Sequence, residues 1–438
     1  MKLQCSNGEI SREGSPERWR VRQTETRRLK GRKLMKSFLR KLHIPVTARD
    51  WHSLVGMVFL LVLLFLFVTG TLSVFGREID WLFTPEQRVA VQAEGKQSFG
   101  AIYDAVSASH PGARSLSILR LPGARFADQV TIQDTTRGKL IVYVDPYRAL
   151  VQGDAPFNNL WRTLRELHRG LSSERRPVQI LITFMTIPLA AMLITSLMLY
   201  PKFYRGFFRL PKRGARLRAQ LSDLHRFIGA WSMVFIIVVV LTSAEFMIES
   251  VGLGPNYYPF YAEPAKDTEP PLPEGFSGAD LDRSVALAVE KYPGLMVSDI
   301  VLPSRNGEAL AIRGDLTAKL VRPSANSVIF DPATLELRGA YRAETSGIHL
   351  WFFEAMRVIH YGSFAGLTSR LLWLVLGLGL SVLAAAGALI YAERLIFMSK
   401  RGDKYQRRTR FGHIWFGMGP GKWIGLASLV AAMWWTIQ

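Results

Sequence analysis

The chain has 438 residues, 49% of them hydrophobic, and a formal net charge of +20. This composition excludes a disordered chain and is typical of a membrane protein with polar domains between its membrane segments. Because Cys5 is the single cysteine, disulfides, thiolate catalysis, iron–sulfur clusters and zinc–cysteine sites within the chain are excluded.

A basic tail comes first. Residues 1–50 hold fourteen Lys or Arg against five Asp or Glu. Within the tail, Lys33–His43 places apolar side chains on one helical face and basic ones opposite, which predicts a helix lying along the membrane surface. The tail has no apolar run and no small-residue cleavage site, so we expect the first hydrophobic segment to be a retained anchor.

Four hydrophobic segments are long enough to cross a bilayer, which takes about 20 apolar residues. A fifth candidate, Ile414–Ile437, is glycine-rich and is interrupted by Lys422. The four are Leu54–Gly76, Val178–Tyr200, Phe227–Ala244 (running on to about Ser250) and Leu371–Ala392.

The charge distribution predicts an orientation. Residues 201–226 hold eight basic residues against one acid, and residues 394–410 hold seven against one. The long segments 77–176 and 251–369 are near neutral or acidic. The excess of basic residues in the tail and short loops places these in the cytoplasm and the long segments outside. Since this bias accounts for most of the net charge, no nucleic-acid partner is predicted.

The two long segments share one pattern, a helix that ends at Pro-Gly followed by strands and an Asp-Pro turn. The pattern predicts two small α+β modules, and its recurrence predicts an internal repeat. The first has a predicted helix over 98–109 and strands near Ser115–Leu121, Gln129–Gln133 and Leu140–Val144; the second has a helix over Ala279–Lys291 and strands near Ser298–Leu302, Ala309–Arg313 and Val328–Phe330.

Histidines recur at corresponding places in the two halves. His52 and His225 each stand where a hydrophobic segment starts, with a glycine four residues later and a threonine seventeen residues later. His168 and His360 each precede a returning segment, with an arginine three residues before and a glycine two after. The order predicts a unit at about 51–200 that is repeated at 224–395.

Imidazoles at one depth of two different helices suit axial ligation of one membrane haem iron. We therefore predict two ligand pairs, His52 with His225 on the cytoplasmic side and His168 with His360 on the external side. No Cys-x-x-Cys-His motif is present, so any haem is non-covalent b-type. The alternative is that these histidines are ordinary interfacial polar residues.

Other residues are candidates around these pairs. Arg165 and Arg357, one turn before the external histidines, suit haem propionates or, alternatively, phospholipid headgroups. The reserve ligands are His349 on the external side and His413, which begins a third His-x3-Gly sequence. The Thr69 and Thr242 hydroxyls are expected to bond a carbonyl one turn back. Glu245 and Glu249 have no counterpart in the first half. We expect them to be solvated at the interface; the alternative is a functional contact with a proton or with iron.

The histidine-led segments, the His-x-Gly sequences before the returning helices and the two external modules resemble the PepSY-associated transmembrane family of bacterial inner-membrane proteins. The resemblance covers roughly residues 40–395. That family includes di-haem ferric-siderophore reductases, so the resemblance implies two b-type haems and electron transfer to an iron chelate. The chain is thus expected to be a multi-pass inner-membrane ferric-chelate reductase; the alternative is a non-catalytic scaffold that binds a peptide or protein through its external modules.

The expected partners are the lipid bilayer, a ferric siderophore or similar Fe(III) chelate, and other iron-uptake membrane proteins. No Walker motif, dinucleotide fingerprint or flavin fingerprint occurs, so a quinol or a cytoplasmic reductase must supply the electrons.

The resulting fold prediction is a mainly α membrane protein with a four-helix transmembrane core, a fifth helix and two PepSY-like modules. In chain order its parts are the tail (1–50), the first membrane helix (51–76), the first periplasmic module (77–157), the His168 helix and second membrane helix (158–200), a basic loop (201–224), the third membrane helix (225–250), the second periplasmic module (251–345), the His360 helix and fourth membrane helix (346–395), a basic loop (396–413) and the fifth membrane helix (414–438).

Overall fold

The computed structural model describes residues 47–437 except 173–175, 212, 213, 215, 256–271, 305–307 and 400–408. The surface helix predicted over Lys33–His43 lies outside the described residues. The helices are α1 (Ala48–Val58), α2 (Leu60–Ser73), α3 (Gly76–Phe83), α4 (Phe99–Ser109), α5 (Leu160–Gly170), α6 (Arg176–Thr183), α7 (Thr186–Leu199), α8 (Leu217–Ile248), α9 (Gly278–Lys291), α10 (Ile348–Tyr361), α11 (Gly366–Ser399), α12 (Arg410–Gly417) and α13 (Gly421–Ile437). The strands are β1 (Arg114–Leu119), β2 (Asp128–Asp134), β3 (Gly138–Asp145), β4 (Leu150–Pro156), β5 (Met296–Val301), β6 (Leu310–Asp315), β7 (Asn326–Phe330) and β8 (Leu337–Tyr341).

Three helical spans in the described chain are long and apolar enough to cross a membrane, namely Arg176–Leu199, Leu217–Leu253 and Gly366–Ser399. Helices α1 and α2 make a fourth if the pair counts as one span, although they meet at a bend of 68°. The protein is therefore mainly helical, with three or four of the predicted membrane segments present as candidate spans.

The fifth hydrophobic segment is two helices rather than the one predicted over 414–438. Helix α12 ends at Gly417 and α13 begins at Gly421, after a turn in which Gly419 has a φ of +52°. Helix α13 packs on α2, and its first residue lies against the bend. A Cβ atom on Gly421 would lie 2.0 Å from the Val58 carbonyl oxygen, so only glycine permits this contact. The interruption of the helix between Gly417 and Gly421 corrects the prediction of one continuous helix.

The bundle brings together helices from both halves of the chain. Helix α11 packs against α8 and α2, and α1 packs against α7. Two shorter helices also enter the bundle, because α5 packs along α2 and α10 packs along α8. These two short helices carry His168 and His360, so their packing decides the depth of both histidines.

All eight strands form one antiparallel sheet in the order β4-β3-β2-β1-β5-β6-β7-β8. Each of the long segments 77–176 and 251–369 supplies one packed helix and four strands to this sheet domain. The two sets of strands join where β1 pairs with β5. In that register Ile118 lies opposite Ile300, and both side chains are fully buried. The predicted modules were thus separate in sequence only, since a single hydrophobic core with residues from both segments underlies the sheet.

The strands β4 and β8 were missed by the sequence analysis, which predicted three strands in each segment. Both follow the Asp-Pro turns and lie at the two edges of the sheet. Each contains a glycine, Gly153 or Gly339, beside an irregularity in the strand register. A strand with alternating exposed residues and an internal glycine carries little hydrophobic signal, which explains the omission.

Helices α4 and α9 pack on each other through a reciprocal contact at their first turns. The Gly100 amide donates a hydrogen bond to Asp282 Oδ1 (2.7 Å), and the Gly278 amide donates one to Asp104 Oδ1 (2.7 Å). Each aspartate thereby caps the partner helix, whose first amides have no partner within their own helix.

Alanine at Gly278 is expected to destabilise this contact. Its Cβ would lie 2.3 Å from the Gly100 carbonyl oxygen and 2.4 Å from Asp104 Oδ2. Because these distances are too short for a carbon atom, the backbones of α4 and α9 must move apart. We expect a loss of about 1–3 kcal/mol, read as a lower unfolding temperature of the detergent-solubilised protein. Gly347→Ala is the matched control, because a Cβ there meets nothing within 4 Å. Equal melting temperatures for the two variants would refute the tight contact.

Candidate functional site

His52 and His225, which we call the far-side pair, face each other across the bundle half that lies away from the sheet. Their ring centroids are 6.4 Å apart, and the rings are nearly perpendicular at 88°. His52 belongs to α1, whereas His225 lies in the third turn of the long helix α8. The sequence analysis paired these two residues, and the structure brings them together.

His168 and His360, the sheet-side pair, face each other in the half of the bundle nearer the sheet. Their ring centroids are 6.2 Å apart at an interplanar angle of 37°. Both lie on short helices, α5 and α10, which run inward alongside α2 and α8. The structure therefore also brings together the second predicted pair.

All four imidazoles use Nδ1 in the same way. In two of them, Nδ1 donates to a main-chain carbonyl of a neighbouring helix, from His168 to Leu66 (3.0 Å) and from His225 to Leu383 (3.1 Å). These carbonyls only accept, so the proton is on Nδ1 and the lone pair is on Nε2.

In the other two imidazoles, Nδ1 bonds to a threonine hydroxyl. His360 Nδ1 lies 2.9 Å from Thr242 Oγ1, and His52 Nδ1 lies 3.1 Å from Thr195 Oγ1. Each hydroxyl donates its own proton to a carbonyl in its helix, at 2.8 Å for Thr242 and 2.7 Å for Thr195. It therefore accepts from Nδ1–H, and Nε2 again keeps its lone pair.

Within the described residues, no hydrogen bond is made by Nε2 of any of the four histidines. An imidazole whose Nδ1–H is held by a protein acceptor and whose Nε2 lone pair is free has the form found in metal-ligating histidines. The four residues thus have the chemistry of ligands rather than of general acids.

The spacing within each pair also fits shared ligation of one metal ion. Two metal–nitrogen bonds of about 2 Å, plus about 1 Å from each nitrogen to its ring centre, give roughly 6 Å between centroids. Both observed separations, 6.4 Å and 6.2 Å, agree with this sum. Clusters of three or more His, Cys, Asp or Glu that would suit other metal sites are absent from the part of the chain that the structure describes.

The seventeen-residue spacing from histidine to threonine has a structural meaning that the sequence did not reveal. Thr242 lies on the helix of His225 but bonds His360, and Thr69 follows His52 but lies 3.4 Å from His168 Nδ1. Each threonine also bonds a carbonyl one turn back, as expected. A helical segment that begins with a far-side histidine thus ends with a threonine that contacts a sheet-side histidine.

Glycines make room for an imidazole in both pairs. A Cβ on Gly70 would lie 2.7 Å from His168 Cε1, and one on Gly387 would lie 3.3 Å from His225 Cε1. The glycines four residues after His52 and His225, which are Gly56 and Gly229, instead face Met192 and Leu383 of neighbouring helices.

Arg357 is paired with protein carboxylates at the place where a propionate was predicted. Its guanidinium binds Glu249 through a short contact and lies 3.8 Å from Glu245, and its side chain is 9% exposed. Glu245 itself is 3% exposed, so its predicted solvation is wrong. The reason is that α10 covers this face of α8, which a sequence pattern does not reveal. Arg165, by contrast, is 43% exposed and lies 3.7 Å from Glu166.

The two reserve ligands lie elsewhere. His349 is exposed at the start of α10, where its ring contacts Phe353. His413 is buried on α12, and the ring that faces His52 is that of His225.

A family model described as the PepSY-associated TM region matches residues 49–394. The chain belongs to this family. The family predicted from the sequence is therefore confirmed, and with its apolar spans the chain is a multi-pass membrane protein in contact with the lipid bilayer. All four paired histidines lie inside the region that the PepSY-associated model matches.

One relative within reach of sequence comparison is the "Uncharacterized protein PA4219" of Pseudomonas aeruginosa. It is 25% identical over 241 residues, which is 50% of this chain. The chain spans only about 60% of the length of that relative. The relative's description names no activity, so the function of this PepSY-associated protein must be argued from its site.

Proposed function

We propose that the protein is a b-type di-haem oxidoreductase of the bacterial inner membrane. In this proposal the far-side pair holds one haem near the cytoplasm and the sheet-side pair holds a second near the periplasm. The basic tail and loops place the far side in the cytoplasm by the positive-inside rule. The protein passes electrons outward to a ferric siderophore or similar Fe(III) chelate in the periplasm.

One observation carries the proposal: two histidine pairs, each from two helices, have ring separations of 6.4 Å and 6.2 Å, so both members of a pair would hold one haem iron. Ionisable side chains inside a membrane bundle are costly, and four imidazoles in two facing pairs are costlier than interfacial histidines. The family to which the chain belongs adds weight, because the resemblance implies haem chemistry.

The residues of the chain have separate tasks in this function. A bound haem b supplies an iron that cycles between Fe(III) and Fe(II). Thr242 and Thr195, with the Leu66 and Leu383 carbonyls, fix the ring orientation and tautomer of the ligands. The surrounding apolar helices exclude water from both pairs.

Helix α8 spans the distance between the two sites. It carries His225 and, seventeen residues later, Thr242, which holds His360. Seventeen residues of helix rise by about 25 Å, so the pairs lie in opposite halves of the membrane. We propose that the two halves of the chain are copies of one unit, which explains why each half supplies one ligand to each pair.

Reduction releases iron because Fe(II) binds hard oxygen ligands more weakly than Fe(III). Each Fe(III) takes up one electron, which a quinol or a cytoplasmic reductase must supply. Other iron-uptake membrane proteins would then receive the Fe(II).

Purified protein in liposomes tests this function. With dithionite inside, and a ferric hydroxamate chelate and ferrozine outside, we expect the ferrous–ferrozine colour to appear outside. His225→Ala protein in matched liposomes is expected to give only the rate of protein-free liposomes. A wild-type rate equal to the protein-free rate would contradict reduction, and would leave the scaffold function as the better account.

Valine at Thr242 is expected to weaken haem binding without abolishing it. The substitution removes the acceptor for Nδ1–H of His360 but keeps side-chain volume and shape. Loss of such a second-layer partner typically lowers metal affinity about 10–100-fold. We expect faster haem transfer to apomyoglobin from Thr242→Val than from Thr71→Val, whose hydroxyl bonds only a carbonyl one turn back. Equal transfer rates would refute the orienting role.

A further inference from the structure

Three arginines surround one tryptophan where the helices meet the sheet. The guanidinium carbons of Arg77, Arg162 and Arg165 lie 4.4, 5.5 and 5.7 Å from the centre of the Trp161 ring. Arg77 is the second residue of α3, and Trp161, Arg162 and Arg165 lie on the half of α5 nearer the sheet. We call Arg77, Arg162 and Arg165 the arginine cluster.

The cluster has more positive than negative charge around it, since within the described residues its one ion pair is that of Arg165 with Glu166 (3.7 Å), a carboxylate that also pairs with Arg169. Neither Arg77 nor Arg162 makes an ion pair or a side-chain hydrogen bond within the described chain, and Arg162 Nε is buried with no partner. The nearby acids are held by other groups, since Glu78 binds Arg370 at 2.6 Å and Asp80 accepts from Gln87 (2.6 Å) and Asn159 (2.7 Å). Partly buried cations without partners are costly, so an absent anion is the expected complement.

Burial and mutual repulsion lower the pKa of two members of the cluster. Burial, and then the charge of Arg162, lowers the pKa of Arg77 to about 10. Burial, and then the charge of Arg165, lowers the pKa of Arg162 to about 10. The neighbouring guanidinium groups therefore raise the cost of charge on Arg77 and Arg162, and an anion bound among them would offset that cost.

The position of the cluster connects it to the sheet-side pair. Trp161 lies seven residues, two helical turns, before His168 and so on the same face of α5, about 10 Å nearer the sheet. Both side chains fit against glycines of the neighbouring segment, because a Cβ on Gly76 would lie 2.7 Å from Trp161 Cδ1, as one on Gly70 would from His168 Cε1. Arg165 lies one turn from His168 on nearly the same face.

We propose that the arginine cluster binds the propionate carboxylates of the haem held by His168 and His360. The proposal rests on the proposed function. It replaces Arg357, which is occupied by Glu249, with Arg77 and Arg162 as partners of Arg165. A planar guanidinium can donate two parallel hydrogen bonds to one carboxylate. The contact with the Trp161 ring helps to hold the guanidinium groups in place.

Haem retention and redox titration test the proposal. Relative to wild type, Arg165→Gln and Arg77→Gln are expected to release one haem per chain to apomyoglobin about tenfold faster or more. The midpoint potential of one haem should fall, because removing a positive charge disfavours the ferrous form. Arg137→Gln is the control, since this half-exposed arginine pairs with Asp154 away from the helices.

The outcomes separate the two proposals. Wild-type protein without haem overturns the proposed function before any variant is measured. Suppose that wild-type protein holds two haems and that the Gln variants match Arg137→Gln in haem release and midpoint potential. That result overturns the propionate site alone. Fast haem release from delipidated wild-type protein that added anionic phospholipid slows again also overturns it, because the ligand of the cluster would then be a headgroup. Arg165 is 43% exposed, so Arg165→Gln is expected to fold even where Arg77→Gln does not.

Discussion

Alanine at His168 or His360 is expected to remove one of two haems, the one nearer the sheet. A b-type haem is held by its axial ligands and pocket contacts alone, so a missing imidazole leaves the iron one ligand short. We expect haem per protein to fall by about half in His168→Ala and in His360→Ala. Alanine at His52 or His225 should remove the other haem.

Pairwise variants sharpen this result. His168→Ala/His360→Ala should lose no more haem than either single variant, because both residues serve one iron. His168→Ala/His225→Ala should lose both haems. His110→Ala is the control, since its ring contacts Asp154 in the sheet segment. Unchanged haem content in all four single variants would contradict the ligand assignment, and loss in His349→Ala would reassign one ligand.

Methionine at Arg357 is expected to cause the largest loss of stability. The change leaves Glu249, which Arg357 binds through a short contact, and the buried Glu245, which is 3% exposed, without a nearby guanidinium. Breaking a buried pair by removing one partner typically costs about 3–5 kcal/mol. The unfolding temperature in detergent should therefore fall well below that of Arg137→Met, because the half-exposed Arg137–Asp154 pair is screened by solvent and contributes little.

Further substitutions test the cause. Adding Glu245→Gln and Glu249→Gln to Arg357→Met removes both uncompensated carboxylates, so much of the lost stability should return. An Arg357 that served a propionate instead would give no such rescue, and the single variant would lose haem while keeping its melting temperature. That outcome would restore the role predicted from the sequence.

The candidate site was largely predictable from local sequence. His52, His225, His168 and His360 occur in repeated short motifs, and repetition alone grouped them correctly into the two pairs that face each other. Their partners were not predictable, because Thr195 and the Leu383 carbonyl come from other helices and carry no motif of their own.

The membrane segments were predictable from hydropathy, but their shape was not. The bend at Phe59 has no proline or glycine at the break, so nothing in the local sequence marks it. It coincides with the approach of Gly421, a residue more than 350 positions away. The burial of Glu245 has a similar origin, since it depends on how α10 packs along α8.

The sheet shows the same limit of sequence reasoning. Helices and central strands have clear periodicity, and six of the eight strands were expected near their observed places. The pairing of β1 with β5 joins strands about 180 residues apart, and period-two patterns give the face of a strand but not its neighbour.

Haem stoichiometry of the purified wild-type protein tests the central claim most directly. Detergent-solubilised protein should show a Soret band that shifts on dithionite reduction, and a pyridine haemochrome assay should give two b-type haems per chain. Protein that folds and is monodisperse yet contains no haem, even after expression with added haem precursor, would contradict the account.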